Sequence, residues 1–162
     1  MFLNVLLTGI AGFIGSQLSE QLLESDHKVV GLDCFTPYYS EKQKRENLKK
    51  SLTYKNCTFL EGNILDIDFP QTLRDIDVIV HLAAQPGVRP SWSEFETYVR
   101  HNVLATKKIL DAAVNTKVKL IFASSSSVYG EAEAYPTKED AVTRPVSPYG
   151  ITKDTCEKLC HV

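Results

Sequence analysis

The 162-residue sequence has no apolar run approaching the roughly 20 residues that a membrane-spanning helix needs. It lacks a basic segment ahead of its first apolar stretch. Met1-Phe2-Leu3-Asn4 leads straight into a strand pattern, so no signal peptide is expected and the cytoplasm is the expected location. It lacks a charge excess: 18 Lys and Arg stand against 20 Asp and Glu, for a net charge of −2 and a pI near 6.1. That balance leaves no global electrostatic case for nucleic acid or a membrane surface as a partner. The four cysteines (Cys34, Cys57, Cys156, Cys160) form no CxxC pair and no disulfide-dense pattern, so reduced thiols are expected. Cys156 and Cys160 share a helix face beside His161, a spacing that a metal site can use. No other ligand cluster accompanies them, so packing is the expected role and no metal is expected.

What is present reads as one globular domain over residues 1–162. Hydrophobic residues make up 43% and charged ones 23%, and the length suffices for a sizeable core. The chain is organised around its opening stretch, Leu3 to Gly15 (LNVLLTGIAGFIG). A short apolar run ends at Thr8, and Gly9, Gly12 and Gly15 then fall three apart where an apolar helix pattern begins. A buried strand that turns sharply into a helix needs residues free to take positive φ and lacking a Cβ, so that main-chain N–H groups approach a diphosphate. Gly9 and Gly12 are expected to meet that need, and Gly15 to let helix and strand pack closely. Amides at a helix start have no partner within the helix, and the dipole there is positive, so an anion is favoured. A tight strand-to-helix turn also uses glycines without any ligand, and the triplet alone does not decide between these readings.

The rest of the chain extends the pattern. Phe13, Ile14, Leu18 and Leu22 predict a helix ending near Ser25-Asp26, and His27 to Asp33 predicts a second strand that stops on an acid. Strand, glycine turn, helix and acid-ended strand form a dinucleotide-binding unit. Asp33, 18 residues after Gly15, is placed to bond both ribose hydroxyls and to repel a 2′-phosphate, which favours NAD over NADP. A strand-end turn residue is its other reading. The mixed charge run from Glu41 to Lys50 predicts a solvated helix face. Further strands are expected at Cys57 to Leu60, Asp77 to Leu82 and Val118 to Ala123, with a brief helix around Leu73 and Ile76. After the turn-rich Ala83 to Trp92, a long helix is expected with one buried stripe of Trp92, Phe95, Val99, Val103, Thr106, Leu110 and Ala113. Asn102 falls in its middle, where an amide is a poor fit unless it bonds something; an exposed or backbone-bonding amide is the other reading. The fold class expected is α/β, a Rossmann-type doubly wound parallel sheet with helices on both faces.

The residues suited to chemistry come late. Ser124 to Ser127 are expected at the carboxyl end of a central strand, the end where ligands lie in such sheets, with a plain polar loop as the other reading. Ser147-Pro148 looks like a helix start, with serine as N-cap and proline in the first turn. Tyr149 and Lys153, four apart, then share one helix face. An ammonium beside a phenol stabilises its phenolate and makes the tyrosine a usable acid/base, though any helix carries Tyr and Lys at this spacing by chance and the pair alone does not decide.

Together TGIAGFIG, Asp33, HLAA at 81–84, Asn102, SSSSVYG at 124–130 and YGITK at 149–153 resemble the extended short-chain dehydrogenase/reductase family, in its nucleotide-sugar epimerase/dehydratase branch. The resemblance runs the length of the chain in the right order. It implies NAD as cofactor, with Gly9, Gly12, Phe13, Ile14 and Gly15 at the pyrophosphate. It implies Asp33 at the adenosine ribose, Asn63 and Ile64 at the adenine, Leu82, Ala83 and Ala84 at the middle of the cofactor, and Asn102 among the cofactor-binding residues. Tyr149 is implied as acid/base, Lys153 as its partner and a ligand of the nicotinamide ribose, and Ser125, or the neighbouring Ser126, as the group bonding the reacting sugar hydroxyl. Arg89 lies in the substrate-facing loop, where it would bond a diphosphate or a carboxylate; a surface arginine is the other reading.

Two departures from the family pattern carry information. Asn63 stands where the family often has Asp, and an amide still accepts and donates. Members that eliminate water or decarboxylate commonly place acids just before the Val-Tyr-Gly, where this chain has Ser126 and Ser127. An elimination needs a further positioned proton donor and acceptor. A UDP-sugar 4-epimerase of the UDP-glucose/UDP-glucuronate kind is therefore the expected activity, with a dehydratase or decarboxylase, or a non-catalytic NAD-binding module, as alternatives. Family members run to about twice this length, so a carboxy-terminal substrate lobe is expected to be absent from this chain, which then binds NAD without appreciable turnover. A homodimer through the helices after Ser91 and Pro148 is also implied.

Overall fold

The computed structural model describes residues 2–131 and 134–162. The chain divides into two compact units, one of Met1–Ala83 with Lys108–Ala123 and one of Ala84–Lys107 with Ser124–Val162.

The first unit holds a five-stranded sheet, wholly parallel, in the order β3-β2-β1-β4-β5. Its strands are β1 (Asn4–Thr8), β2 (Lys28–Asp33), β3 (Cys57–Glu61), β4 (Val78–His81) and β5 (Lys119–Phe122). Between them lie α1 (Phe13–Glu24), α2 (Glu41–Leu48) and the single turn α3 (Phe69–Thr72). The order runs outward from β1 in both directions, and because parallel crossovers are right-handed this reversal puts connecting helices on opposite faces. The sheet is thus Rossmann-like, as the alternation of strand and helix patterns predicts. Burial follows position: Val5, Leu6 and Leu7 of β1 and Ile79 of β4 are fully buried, while β5, expected as a central strand, lies at the edge of the sheet and exposes Lys119 and Ile121.

Two local expectations shift here. The brief helix lies at Phe69–Thr72, ahead of Leu73 and Ile76, because Pro70 supplies a first-turn residue with no N–H to lose. Leu73 and Ile76 are still core residues, buried just beyond it. The charge run does form α2, but Lys44 is not solvated: its Nζ donates to Thr36 O at 2.7 Å and lies 4.7 Å from the Tyr39 ring centroid.

In the second unit α4 (Phe95–Tyr98) passes through a π-helical turn, Val99–Leu104, into α5 (Ala105–Thr116), which continues in the first unit. The predicted stripe is corrected here. Trp92 belongs to a separate 3-10 turn, Pro90–Trp92, and is 67% exposed, and Phe95 is exposed as well. The buried set is Tyr98, Asn102, Ala105, Thr106, Ile109 and Ala113. A π turn inserts one residue into the helical repeat, so a stripe drawn at constant 3.6-residue spacing loses phase across it. α6 (Pro148–His161) closes the unit, with Cys156 fully buried against Asn102 O. Burial pushes the Cys156 thiol up, as suits a packing residue. Among the described residues no His, Cys, Asp and Glu cluster could hold a metal, and no helix is long and apolar enough to cross a membrane.

Candidate functional site

In the first unit the site begins where β1 ends. Gly9 follows Thr8 at φ +74°, and a Cβ on it would stand 2.8 Å from Ala83 N. Gly12, expected to need positive φ, instead holds φ −72° and ψ 170° as the N-cap of α1. What matters at this position is its missing side chain, since no side-chain cap bonds the helix start. The amides of Phe13 and Ile14 open α1 on residues that are 80% and 66% exposed. An uncapped helix start of this kind offers N–H groups and the positive end of the dipole to an anion. Gly15 permits the closest approach: a Cβ there would lie 2.1 Å from Gly9 O.

Asp33 ends β2 beside this turn. Its Oδ2 accepts from Ala11 N at 3.1 Å and its Oδ1 from Phe35 N at 2.9 Å. Each oxygen keeps a lone pair for a hydroxyl, so the carboxylate is oriented without being exhausted. Phe35 sits at φ +50°, an uncommon conformation for a bulky residue, held by that bond and by its buried ring against Phe59. Leu82 N donates to Thr8 O and Ala83 N to Thr8 Oγ1, which also pairs with the buried His81 Nδ1 at 2.7 Å. These bonds stitch the HLA segment to the end of β1. Asn63 caps a short turn, its Oδ1 accepting from Leu65 N, and Ile64 is buried behind it.

In the second unit α6 carries the acid/base candidates. Ser147 Oγ accepts from Gly150 N at 3.1 Å, which is the N-cap the sequence predicts. A second hydroxyl does the same for the residue before: Ser91 Oγ accepts from Tyr149 N at 3.0 Å and donates to Val88 O at 2.6 Å. Tyr149 is half-buried, with the Tyr98 ring edge-on at 6.1 Å between centroids. Tyr98 is itself anchored, its hydroxyl donating to Pro86 O at 2.7 Å. Lys153, one helical turn beyond Tyr149, is 4% exposed. Burial pushes its ammonium down to about 8, against the pull of Cys156, Glu157 and Cys160.

Ser125 Oγ accepts from Ser127 N at the start of a 3-10 turn, Ser126–Val128, which leaves the hydroxyl hydrogen free to aim elsewhere. Ser126 is exposed, Arg89 is exposed, and Ala84 opens the unit half-buried. Asn102 is 1% exposed: its Oδ1 accepts from Gln85 N, and its Nδ2 donates to Gln85 O and Thr152 Oγ1. Both amide hydrogens are used within the unit, so this side chain joins the Gln85 segment to α6. Ser91, Tyr98, Gln85 and Phe35 are not legible as site residues in the sequence. The Pro90-Ser91 pair signals a turn, but only the tertiary structure names the amide that Ser91 caps.

The first unit can hold a diphosphate on backbone amides and a ribose on Asp33. In the second unit α6 carries a phenol and an amine one helical turn apart. The family model described as GDP-mannose 4,6 dehydratase matches residues 6–162. An uncharacterized UDP-glucose epimerase of Bacillus subtilis is 45% identical over 163 residues, covering 99% of this chain and 51% of that protein. A probable UDP-glucuronate 4-epimerase of Rhizobium meliloti is 35% identical, covering 98% of this chain and 48% of that protein. The UDP-glucuronic acid 4-epimerase from Bacillus cereus, solved in complex with UDP-glucuronic acid and NAD, matches with a TM-score of 0.94 at 43% identity, covering 98% of this chain and 51% of that one. The chain spans about half the length of the curated relatives it matches. It belongs to the GDP-mannose 4,6 dehydratase family, among the extended short-chain dehydrogenase/reductases that its motifs resemble.

Proposed function

We propose that this chain is the NAD-binding part of a UDP-sugar 4-epimerase acting on UDP-glucose or UDP-glucuronate. The observation that carries the reading is α6 itself, where Tyr149 and the buried Lys153 lie one turn apart on a helix whose first turn is held by two serine hydroxyls. The relatives named as 4-epimerases support it. When bound, NAD supplies reversible hydride transfer at sugar carbon 4.

The chain's own residues do the rest. The amides of Phe13 and Ile14, with Gly9, Gly12 and Gly15 giving them room, bind the cofactor's diphosphate, and Asp33 accepts from the adenosine ribose. Asn63 and Ile64 border the adenine, and Leu82, Ala83 and Ala84 flank the middle of the cofactor. Tyr149 Oη is the acid/base for the sugar 4-hydroxyl, exchanging its proton before and after the sugar turns over. Lys153, one helical turn on, is its partner and bonds the nicotinamide ribose. Ser125 Oγ donates to the reacting oxygen, with Ser126 beside it, and Arg89 meets a substrate diphosphate or carboxylate. Asn102 acts as a positioning residue through Gln85 and Thr152.

Serines at 126 and 127, in place of carboxylates, favour epimerisation over elimination or decarboxylation. A homodimer belongs to the same proposal, supported by exposed apolar side chains of Trp92, Phe95, Leu104 and Ile151, and sedimentation velocity tests it. Calorimetric titration with NAD and NADP tests the cofactor reading. Saturable binding of NAD in preference to NADP is expected, and absence of NAD binding contradicts it.

A further inference from the structure

We infer that Asn47, in the middle of the charge run, is a positioning residue for the diphosphate-binding turn, acting through the Ala11 carbonyl. Ala11 is fully buried, and both of its peptide groups are held from outside the turn. Its N–H donates to Asp33 Oδ2, and its carbonyl accepts from Asn47 Nδ2 at 3.0 Å and from Tyr39 Oη at 3.4 Å. The carboxamide of Asn47 is oriented in turn, because Gln43 Nε2, one helical turn earlier on α2, donates to its Oδ1 at 2.9 Å. An amide with its oxygen occupied has its nitrogen aimed at Ala11.

The Ala11 carbonyl and the Gly12 N–H belong to one planar group and point in opposite directions. With the carbonyl drawn towards α2, the Gly12 N–H points at Gly9 O, which it reaches at 3.0 Å. That pair of bonds fixes the orientation of Gly12, and Gly12 sets the direction in which the next amides, those of Phe13 and Ile14, are presented. α2 thus preorganises a turn that has no side chain of its own to do so. The contact to Asp33 makes the same peptide the joint between the ribose and diphosphate ends of the site.

The inference rests on the NAD reading, and its test separates the two. Asn47→Leu keeps the size of the side chain and removes the donor without adding charge. Binding of NAD, ADP and adenosine is measured by calorimetry and NMR titration on the chain and on the variant. A three- to tenfold loss of affinity is expected for NAD and ADP, whose diphosphate meets the turn, with adenosine unchanged. Equal affinities in chain and variant overturn the inference, as does a uniform loss that includes adenosine. Failure of the parent chain to bind NAD overturns the cofactor reading instead. If Asn47→Leu does not fold, Asn47→Ser and Tyr39→Phe carry the same comparison, with the smaller loss expected for Tyr39→Phe because its bond is the longer one.

Discussion

Ser91 Oγ accepts the backbone N–H of Tyr149 across 58 residues of sequence, at 3.0 Å and with Ser91 fully buried. A first-turn amide of α6 is thereby capped from outside the helix, on the residue proposed as acid/base. Ser91→Ala leaves that amide without its acceptor in a site that water does not replace well. We expect a loss of about 1–2 kcal/mol in urea unfolding. Ser93→Ala, at an exposed hydroxyl that donates to Pro90 O, is expected to change stability by less than about 0.5 kcal/mol. Equal effects of the two substitutions contradict the assigned role.

Lys153 gives a pH signature. Its folded value of about 8 lies below the ordinary 10.5 because burial disfavours the charged form. Between those values the unfolded chain holds a proton that the folded chain has released, so this residue's contribution to stability rises with pH through the window and is flat below it. Lys153→Met removes the penalty. The ligand-free variant is expected to be the more stable by up to about 3 kcal/mol at pH 7, with the gap shrinking between pH 8 and 10.5. Urea unfolding of both proteins across that range checks it, and a gap that does not change with pH contradicts it.

Asp33→Asn tests the ribose end. An amide replaces one of the two acceptor oxygens that now serve Ala11 N and Phe35 N, so a donor faces a donor. NAD affinity is expected to fall about tenfold or more, while the preference for NAD over NADP narrows because the charge opposing a 2′-phosphate is gone. Calorimetry with both cofactors measures both effects.

Much of this was readable from local pattern. The strand, glycine turn and helix over residues 4–24, the strand ending at Asp33, and the Ser147 cap are set by neighbours in sequence, where periodicity and cap chemistry speak directly. What escaped was set by distant partners. Lys44 looks like one more solvated charge until Thr36 and Tyr39 close around it. Ser91 looks like a turn residue until Tyr149 N reaches it. The hydrophobic spacing puts the buried stripe around Asn102 out of phase, because a π turn leaves no mark in it. Asn102 shows both sides: its amide does bond something, as a polar residue at mid-helix requires, yet its partners are Gln85 and Thr152 of the same unit.

The proposed role of Tyr149 is proton transfer in 4-epimerisation of a UDP-sugar. Its most direct test is product analysis by proton NMR. The protein carried to the length of its relatives is incubated with NAD and with UDP-glucose or UDP-glucuronate, alongside its Tyr149→Phe variant. Interconversion of carbon-4 epimers is expected with no loss of water or carbon dioxide, abolished in the variant while NAD binding is retained. A dehydrated or decarboxylated product, or a Tyr149→Phe variant that epimerises at the parent rate, would contradict it.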